Sequence, residues 1–259
     1  MRLKLVPARQ GMLWVRQGLG VFFRRPVAFC LLLFLYMLVG PVLAFAIAPL
    51  VSLGFMIATR QVLEGRFPLP GVFIDPLRAG SARRWAQLKL GFGYAVGIAL
   101  VLWLGDAIGG HAFDALREAM AAGKSTPQDM EPLLSDPDLQ LAWLLVLAGI
   151  GLLAVPFWHA PALVHWAGHG AGKAMFFSTV ACWRNKGALT VYMLGWGAVT
   201  VLFALLSSLV LGLLGAAQLA FVAMMPAMLM LSAAFYASLY FTFADSFEPV
   251  AVPDPQETP

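Results

Sequence analysis

The sequence predicts an all-α protein embedded in a membrane, and three observations lead to this prediction. Of the 259 residues, 61% are hydrophobic and 12% are charged, whereas soluble domains average about 45–50% apolar and 25% charged residues. Several apolar runs reach the roughly 20 residues that a helix needs to cross a bilayer. Fifteen of the seventeen Lys and Arg residues fall into segments 1–26, 60–89 and 159–188, each of which leads into an apolar run.

The positions of the charged residues predict the orientation of the chain. Lys and Arg beside transmembrane helices stay on the cytoplasmic side, so the three basic segments are expected to face the cytoplasm. Segment 106–138 holds seven Asp and Glu residues against Arg117 and Lys124, and it is expected to be non-cytoplasmic. Both termini are then cytoplasmic. The chain makes about six crossings, arranged as three hairpins of one helix bundle over 1–245, followed by a disordered tail over 246–259.

The first apolar run, 27–59, contains no charged residue and is flanked by basic residues on both sides. A straight helix over this run would measure about 50 Å, against roughly 30 Å for the hydrocarbon core. Because both flanks are expected on one side, the run is predicted to be a hairpin that turns near Gly40-Pro41 or at Pro49. Either it crosses fully twice or it is a short re-entrant hairpin.

The other crossings follow from the remaining apolar runs, about Leu90 to Ile108, Leu139 to Trp158, Leu189 to Leu214 and Leu219 to Phe243. Residues 215–218 are predicted to form the last turn. Inside the acidic segment, His111 to Ala122 is predicted to be a separate short helix closed by Gly123. The Pro- and Asp-rich stretch that follows is predicted to be irregular.

Each basic segment is predicted to form an amphipathic helix that lies on the cytoplasmic face ahead of its hairpin. The first segment places Met12, Val15, Leu19 and Phe22 on one face. The second opens with Asp75-Pro76, a favourable start for a helix, and the third aligns Phe176, Val180 and Trp183. The residues expected at the membrane surface, in contact with anionic lipid, are Arg9, Trp14, Arg16, Arg24, Arg25, Arg83, Arg84, Trp85, Lys173, Trp183, Arg184 and Lys186.

Three of the four histidines, His159, His165 and His169, lie close together in sequence. The spacing of His165 and His169 suits metal chelation on a helix, but no acidic residue lies nearby to complete or orient such a site. An interpretation as polar anchors at headgroup level is favoured over a metal or haem site. The alternative for His159 is a proton-relay group.

No catalytic constellation is recognised in the sequence, and no cofactor is predicted. Cys182 lacks the orienting partner that a cysteine hydrolase needs, and Asn185 is expected to cap a helix before Gly187 instead. The predicted spans contain no Asp, Glu, Lys or Arg at depth, which disfavours an ion-coupled transporter. Nucleic acid is not an expected partner, because the basic residues flank apolar spans.

Three strings of residues resemble an uncharacterised family of bacterial multi-pass inner-membrane proteins. They are Val6-Pro7-Ala8-Arg9-Gln10-Gly11 with Trp14-Val15, then Phe157-Trp158-His159-Ala160-Pro161-Ala162-Leu163-Val164, and then Phe176-Phe177-Ser178 with Ala181-Cys182-Trp183-Arg184-Asn185-Lys186-Gly187-Ala188. The resemblance covers 1–245 and implies a bacterial inner-membrane location. It implies no activity, substrate or catalytic residue.

Three functional hypotheses follow. The first is a non-enzymatic component that interacts with lipid or acts as a scaffold, its partners being the anionic inner leaflet and a membrane protein or a second copy of the chain. The second is a permease-like protein for a small apolar or amphipathic molecule, with a cavity lined by residues such as Tyr94, Ser207, Ser208 or Tyr236. The third is a metal- or haem-binding protein that uses the three histidines.

Overall fold

A computed structural model describes residues 1–123, 127–215 and 220–248, and within these ranges the chain is helical apart from short connections and two strands. The α-helices are α1 (Gln10–Arg24), α2 (Pro26–Met37), α3 (Pro41–Leu63), α4 (Asp75–Arg78), α5 (Ser81–Ala121), α6 (Pro127–Leu134), α7 (Pro137–Phe157), α8 (Ala160–Ala167), α9 (Ala171–Arg184), α10 (Lys186–Leu213) and α11 (Ala220–Ser246). A 3₁₀ turn covers Pro70–Phe73, and the strands are β1 (Arg2–Leu3) and β2 (Phe247–Glu248).

The predicted all-α membrane bundle is confirmed. Among the described residues, five helical segments are long and apolar enough to cross a membrane: most of α3, α5, α7 together with α8, α10 and most of α11. A sixth is obtained if α1 and α2, which meet at an angle of 98°, are counted as one broken span. Many large apolar side chains on α5, α7 and α10 are exposed, as expected for helices that face lipid.

The first hairpin turns at Gly40, one of the two predicted positions. Gly40 has φ +83°, a conformation that glycine adopts at little cost, and Pro41 then begins α3. The other predicted position, Pro49, lies inside α3. Helix α2 has 12 residues and measures about 18 Å, so it is too short to cross a bilayer by itself. On its α2 side, the hairpin therefore matches the alternative of a short re-entrant hairpin. The stacked rings of Phe29 and Phe55, with centroids 6.4 Å apart, join the two helices.

Helix α1 packs on other helices through the apolar face that was predicted to lie on the membrane. It inserts between α10 and α11, and it packs more extensively on each of them than they pack on each other. Its apolar face, with Trp14, Val15 and Phe22, is buried against protein. Gly11 lies against the backbone of α10 at Ala188, and Gly18 lies against Ser238 of α11. Helix α1 is amphipathic, as predicted, but neighbouring helices rather than lipid cover its apolar face.

The second basic segment also differs from the prediction. The helix that begins at Asp75 ends after one turn, because Gly80 adopts φ +107°, and α5 starts at Ser81. Arg83, Arg84 and Lys89 therefore belong to the first turns of a membrane-spanning helix and not to a separate surface helix.

The predicted separate helix over 111–122 is wrong, because α5 continues without a break to Ala121 and ends before Gly123. Its 41 residues measure about 60 Å, roughly twice the hydrocarbon thickness. On its distal part Arg117 pairs with Asp106 and Asp114, at 3.3 and 2.8 Å. These exposed charges show that this end of α5 projects beyond the apolar layer.

The predictions for the stretch after Gly123 and for the C-terminal tail also need correction. The stretch after Gly123 is partly helical, since α6 forms, and the Asp136 carboxylate caps α7 by accepting from the backbone amides of Asp138 and Leu139. The tail is ordered over 246–248, where β2 pairs antiparallel with β1. The predicted disorder over 249–259 and the predicted turn at 216–218 lie outside the described residues.

Helices α5 and α7 form an antiparallel pair with small residues at their contact. Gly105 faces Val146, Gly109 faces Ala142, and Gly149 faces Val101. Small residues let transmembrane helices approach closely. The resulting van der Waals contacts stabilise the pair, because lipid provides no hydrophobic driving force between helices.

Replacing Gly18 by Ala is expected to lower stability by about 1–3 kcal/mol, because the added methyl group overlaps the side chain of Ser238 and overpacking has this cost. The matched control is Gly20→Ala on the same helix, where the added methyl group meets nothing within 4 Å. The control should be neutral or stabilising by about 0.5–1 kcal/mol. Thermal unfolding of both variants in detergent measures the difference, and equal melting temperatures would contradict the inserted position of α1.

Candidate functional site

The three strings that carry the family resemblance meet at one end of the bundle, where the chain termini, the α7–α8 junction and the α9–α10 junction come together. We call this region the terminal cluster, defined by Asn185, Ser178 and Asp245 with their hydrogen-bond partners. Each of these polar side chains bonds to a segment that is distant in sequence. The three strings are far apart in the chain, but they are in contact in this cluster.

Asn185 joins the N-terminal segment to the end of α11. Its Oδ1 accepts a hydrogen bond from the backbone amide of Val6 at 3.1 Å, and its Nδ2 donates to the carbonyl of Lys4 at 3.1 Å and to Ser246 Oγ at 3.2 Å. The side chain is 2% exposed. Asn185 lies at the predicted cap position, as the C-cap of α9, where its backbone amide donates to the Ala181 carbonyl, and as the N-cap of α10, but its side chain makes no cap bond to α10. An amide group has a donor and an acceptor, so it can bind extended backbone in the way that a neighbouring strand does.

Ser178 closes the break between α7 and α8. Its hydroxyl donates to the carbonyl of Val155 at 2.9 Å and accepts from the backbone amide of His159 at 3.0 Å. Pro156 and Pro161 flank the break, where a continuous helix is disfavoured. In such a helix the His159 amide would donate to the Val155 carbonyl. At the break these two groups must be satisfied by other protein groups, and the Ser178 hydroxyl bonds to both.

Trp14 is not a membrane-surface residue, which corrects the sequence-based assignment. It is 0% exposed, and its indole nitrogen donates to Asp245 Oδ2 at 2.7 Å. Gln10 Nε2 donates to the same oxygen at 2.6 Å. The carboxylate at the end of α11 thus fixes the start of α1, and the aromatic face of Trp14 packs at right angles to Tyr192 of α10.

The three histidines do not form a common site. His159 is 1% exposed and packs against Phe243 and Phe247, His165 packs against Trp166, and His169 packs against Phe177. Over 1–123, 127–215 and 220–248, no three His, Cys, Asp or Glu side chains are grouped as metal ligands. The geometry therefore does not support the metal or haem hypothesis.

His159 Nδ1 has no hydrogen-bond partner in the described part of the chain. Partial burial, the Lys173 ammonium and the N-terminal amine lower the pKa of His169, which favours the neutral imidazole.

The other eleven residues predicted at the membrane surface are exposed. They include Trp85 at 61% exposure and Trp183 at 72%, each beside Arg residues at the start of α5 or the end of α9. The Lys186 ammonium lies 4.8 Å from the ring centroid of Trp183. Within the described ranges, none of these cations is paired with a carboxylate.

A groove begins at Lys186 and follows α10. Its volume is about 420 Å³. It is lined by Val155, Cys182, Trp183, Lys186, Leu189, Thr190, Met193 and Leu194. The groove thus has a cation and an exposed indole at one end and apolar side chains along its length.

The four residues suggested for a permease cavity line two cavities rather than one. Tyr94 and Tyr236 line a cavity of about 170 Å³ where α3, α5, α7 and α11 meet. Ser207 and Ser208 line a lateral cavity of about 430 Å³ between α10 and α11. The second cavity shares Phe203, Ala227 and Leu231 with a neighbouring cavity that is also lined by residues of α1.

Sequence reasoning missed Ser178, Asp245 and the role of Asn185. Each of these polar residues is visible in the sequence, but its hydrogen-bond partners lie at least 19 residues away. Only the folded chain shows which groups meet.

Comparison with known proteins places the chain beside one described relative. It is 34% identical over 258 residues, which are 95% of this chain and 94% of the relative, to a protein of Burkholderia thailandensis named "Probable inner membrane protein". No family model matches the chain. No solved structure matches it.

Replacing Asn185 by Ala is expected to destabilise the protein by roughly 2–4 kcal/mol, because three hydrogen bonds at about 0.5–1.5 kcal/mol each are lost. Hydrogen exchange at the Val6 amide should accelerate, since its acceptor is removed. The matched control Ser246→Ala removes one of the three bonds and should have a smaller effect. Unchanged exchange at Val6 in Asn185→Ala would contradict the proposed link between α10 and the N-terminus.

Proposed function

The chain belongs to the same family as the probable inner membrane protein of Burkholderia thailandensis, and from this premise we propose that it is a non-enzymatic bacterial inner-membrane protein that binds anionic lipid of the inner leaflet. Both termini and the terminal cluster lie on the cytoplasmic side in this proposal. The observation that carries it is the Trp183–Lys186 pair at the head of the α10 groove.

The chemistry of this pair suits a phospholipid. Trp and Lys are the side chains that anchor proteins at the membrane interface, with an apolar body and a polar tip. Lys186 has no carboxylate partner among the described residues, so its charge is available to a phosphate. The groove then continues past Leu189 to Leu194, a path that suits an acyl chain.

Other exposed residues support the same surface role. Arg83 and Arg84 stand at the start of α5, and Arg184 ends α9 next to Trp183. Phe176 is 63% exposed on α9. A juxtamembrane Lys or Arg contributes about 1 kcal/mol to attraction by an anionic leaflet, so several of them together produce a clear preference for anionic lipid.

The scaffold part of the hypothesis needs a protein partner or a second copy of the chain. The exposed apolar surface of α10 is compatible with helix association as well as with lipid. We propose the lipid role first because charge complementarity supports it directly.

A permease-like role for a small apolar or amphipathic molecule is the second candidate. One observation favours it: the residues suggested for such a cavity do line cavities inside the bundle. Transport would further require a route through the protein from one face of the membrane to the other.

The orientation is checked by reporter fusion. A green fluorescent protein fused to either end of the chain is expected to fluoresce, and alkaline phosphatase inserted after Gly123 is expected to be active, because the acidic segment should face the periplasm. The reverse pattern of reporters would contradict the positive-inside assignment.

Replacing Lys186 by Gln is expected to reduce retention of phosphatidylglycerol about fivefold, the equivalent of roughly 1 kcal/mol. Native mass spectrometry of the protein, after exchange into mixed phosphatidylglycerol and phosphatidylcholine micelles, measures bound lipid. The matched control is Arg66→Gln, whose guanidinium already pairs with Glu64. Equal phosphatidylglycerol retention by wild type, Lys186→Gln and Arg66→Gln would reject the proposed lipid site.

A further inference from the structure

The cavity lined by Tyr94 and Tyr236, which we call the central cavity, is a separate feature from the lipid groove and does not depend on it. Its other principal walls are Ser52, Phe157, Trp158 and Phe235. We propose that the central cavity binds a neutral, planar ring that carries a hydrogen-bond acceptor. Its volume of about 170 Å³ is close to the roughly 150 Å³ of an engineered protein cavity that binds benzene.

The space is maintained by rigid surroundings. The Tyr236 ring stacks on Phe55 with centroids 4.9 Å apart, and the Tyr94 ring packs edge-on against Phe157 at 5.1 Å. Each tyrosine is therefore held by a neighbouring ring. The small side chains of Ala48 and Ala154 on the opposing helices leave the interior open.

Proline residues shape two of the walls. Pro49 lies inside α3 and lines the cavity, and Pro156 comes one residue before Phe157. A proline inside a helix removes one backbone hydrogen bond and bends the helix. Ser52 Oγ donates to the Pro49 carbonyl at 2.8 Å, which fixes the Ser52 side chain in the wall.

The polar groups of the cavity predict the chemistry of the ligand. Neither the Tyr94 nor the Tyr236 hydroxyl has a hydrogen-bond partner within the described residues, whereas Tyr36 donates to the Ala44 carbonyl and Tyr192 lies 2.6 Å from Ser238 Oγ. Both tyrosines are half-buried in the wall of the cavity, so their hydroxyls are available to a ligand. A carbonyl or ether oxygen on a ligand would accept from one of them.

The remaining walls select for shape and charge. The lining contains no charged side chain, so an ionic ligand would lose hydration without compensation. Phe157, Trp158 and Phe235 offer aromatic faces and edges, which pack well against a planar ring. The Trp158 indole is itself oriented by a hydrogen bond from Nε1 to Thr242 Oγ1 at 3.2 Å.

A matched pair of probes tests this site. Acetophenone and ethylbenzene have the same ring and similar size, but only acetophenone carries a carbonyl. Ligand-observed NMR with the purified full chain in detergent is expected to show acetophenone binding about fivefold or more tightly than ethylbenzene, the equivalent of one net hydrogen bond. The double variant Tyr94→Phe with Tyr236→Phe should remove this difference while retaining ring binding.

Two further variants separate binding in the central cavity from partition into the micelle. Ala154→Leu fills the cavity and should abolish binding of both probes, and Ala48→Leu replaces it if the first variant does not fold. Ser207→Ala, in the lateral cavity, should change neither affinity. The proposal is overturned if wild type binds both probes equally, or if a folded cavity-filling variant still binds them. Lipid retention by Lys186→Gln is measured independently, so either proposal can fail without the other.

Discussion

The insertion of α1 between α10 and α11 is the contact on which the arrangement of the other helices depends. Helix α1 packs on both α10 and α11 more extensively than these two helices pack on each other, and α10 and α11 also meet directly at Tyr192 and Ser238. The close approach at Gly11 and Gly18 requires that these residues have no side chain. Lipid offers little hydrophobic driving force between helices, so packing of this closeness, together with buried hydrogen bonds, has to supply the stability.

The terminal cluster secures this insertion with polar side chains whose partners are complete. Asp245 holds Gln10 and Trp14, Asn185 holds Lys4 and Val6, and Ser178 closes the α7–α8 break. Removing one partner from such a network leaves another group unsatisfied, at about 1–3 kcal/mol. The strings shared with the family are thus explained as parts of one structural joint, which needs no catalytic role.

The same joint positions the two candidate binding features. Because Asn185 fixes the α9–α10 junction, Trp183 and Lys186 are held next to each other at the head of a groove. The break at Trp158 and His159, closed by Ser178, directs Trp158 toward α11 and the central cavity. One structural cluster thereby positions residues of both the cationic groove and the aromatic cavity.

Several features could be predicted from residues that are near each other in sequence. The apolar runs predicted α7, α10 and α11 within a few residues, because hydropathy is a local property, whereas α5 extends well beyond its predicted run at both ends. Gly40-Pro41 and Gly123 predicted where α2 and α5 end, because the backbone preferences of Gly and Pro do not depend on distant residues. The exposure of Arg83, Trp85 and Lys186 also followed from charge and amphipathic character.

Other features depended on contacts that no local pattern reveals. The periodicity of α1 shows that one face is apolar, but both lipid and helices can cover such a face, and only the packing of α10 and α11 decides between them. Asn185 is a residue type that often caps helices, yet its side chain hydrogen-bonds to Lys4, Val6 and Ser246, which are remote in sequence. The sequence by itself therefore determined a membrane-spanning helical chain and its apolar segments. The tertiary structure decided which polar groups meet and where cavities remain, because both depend on distant helices approaching each other.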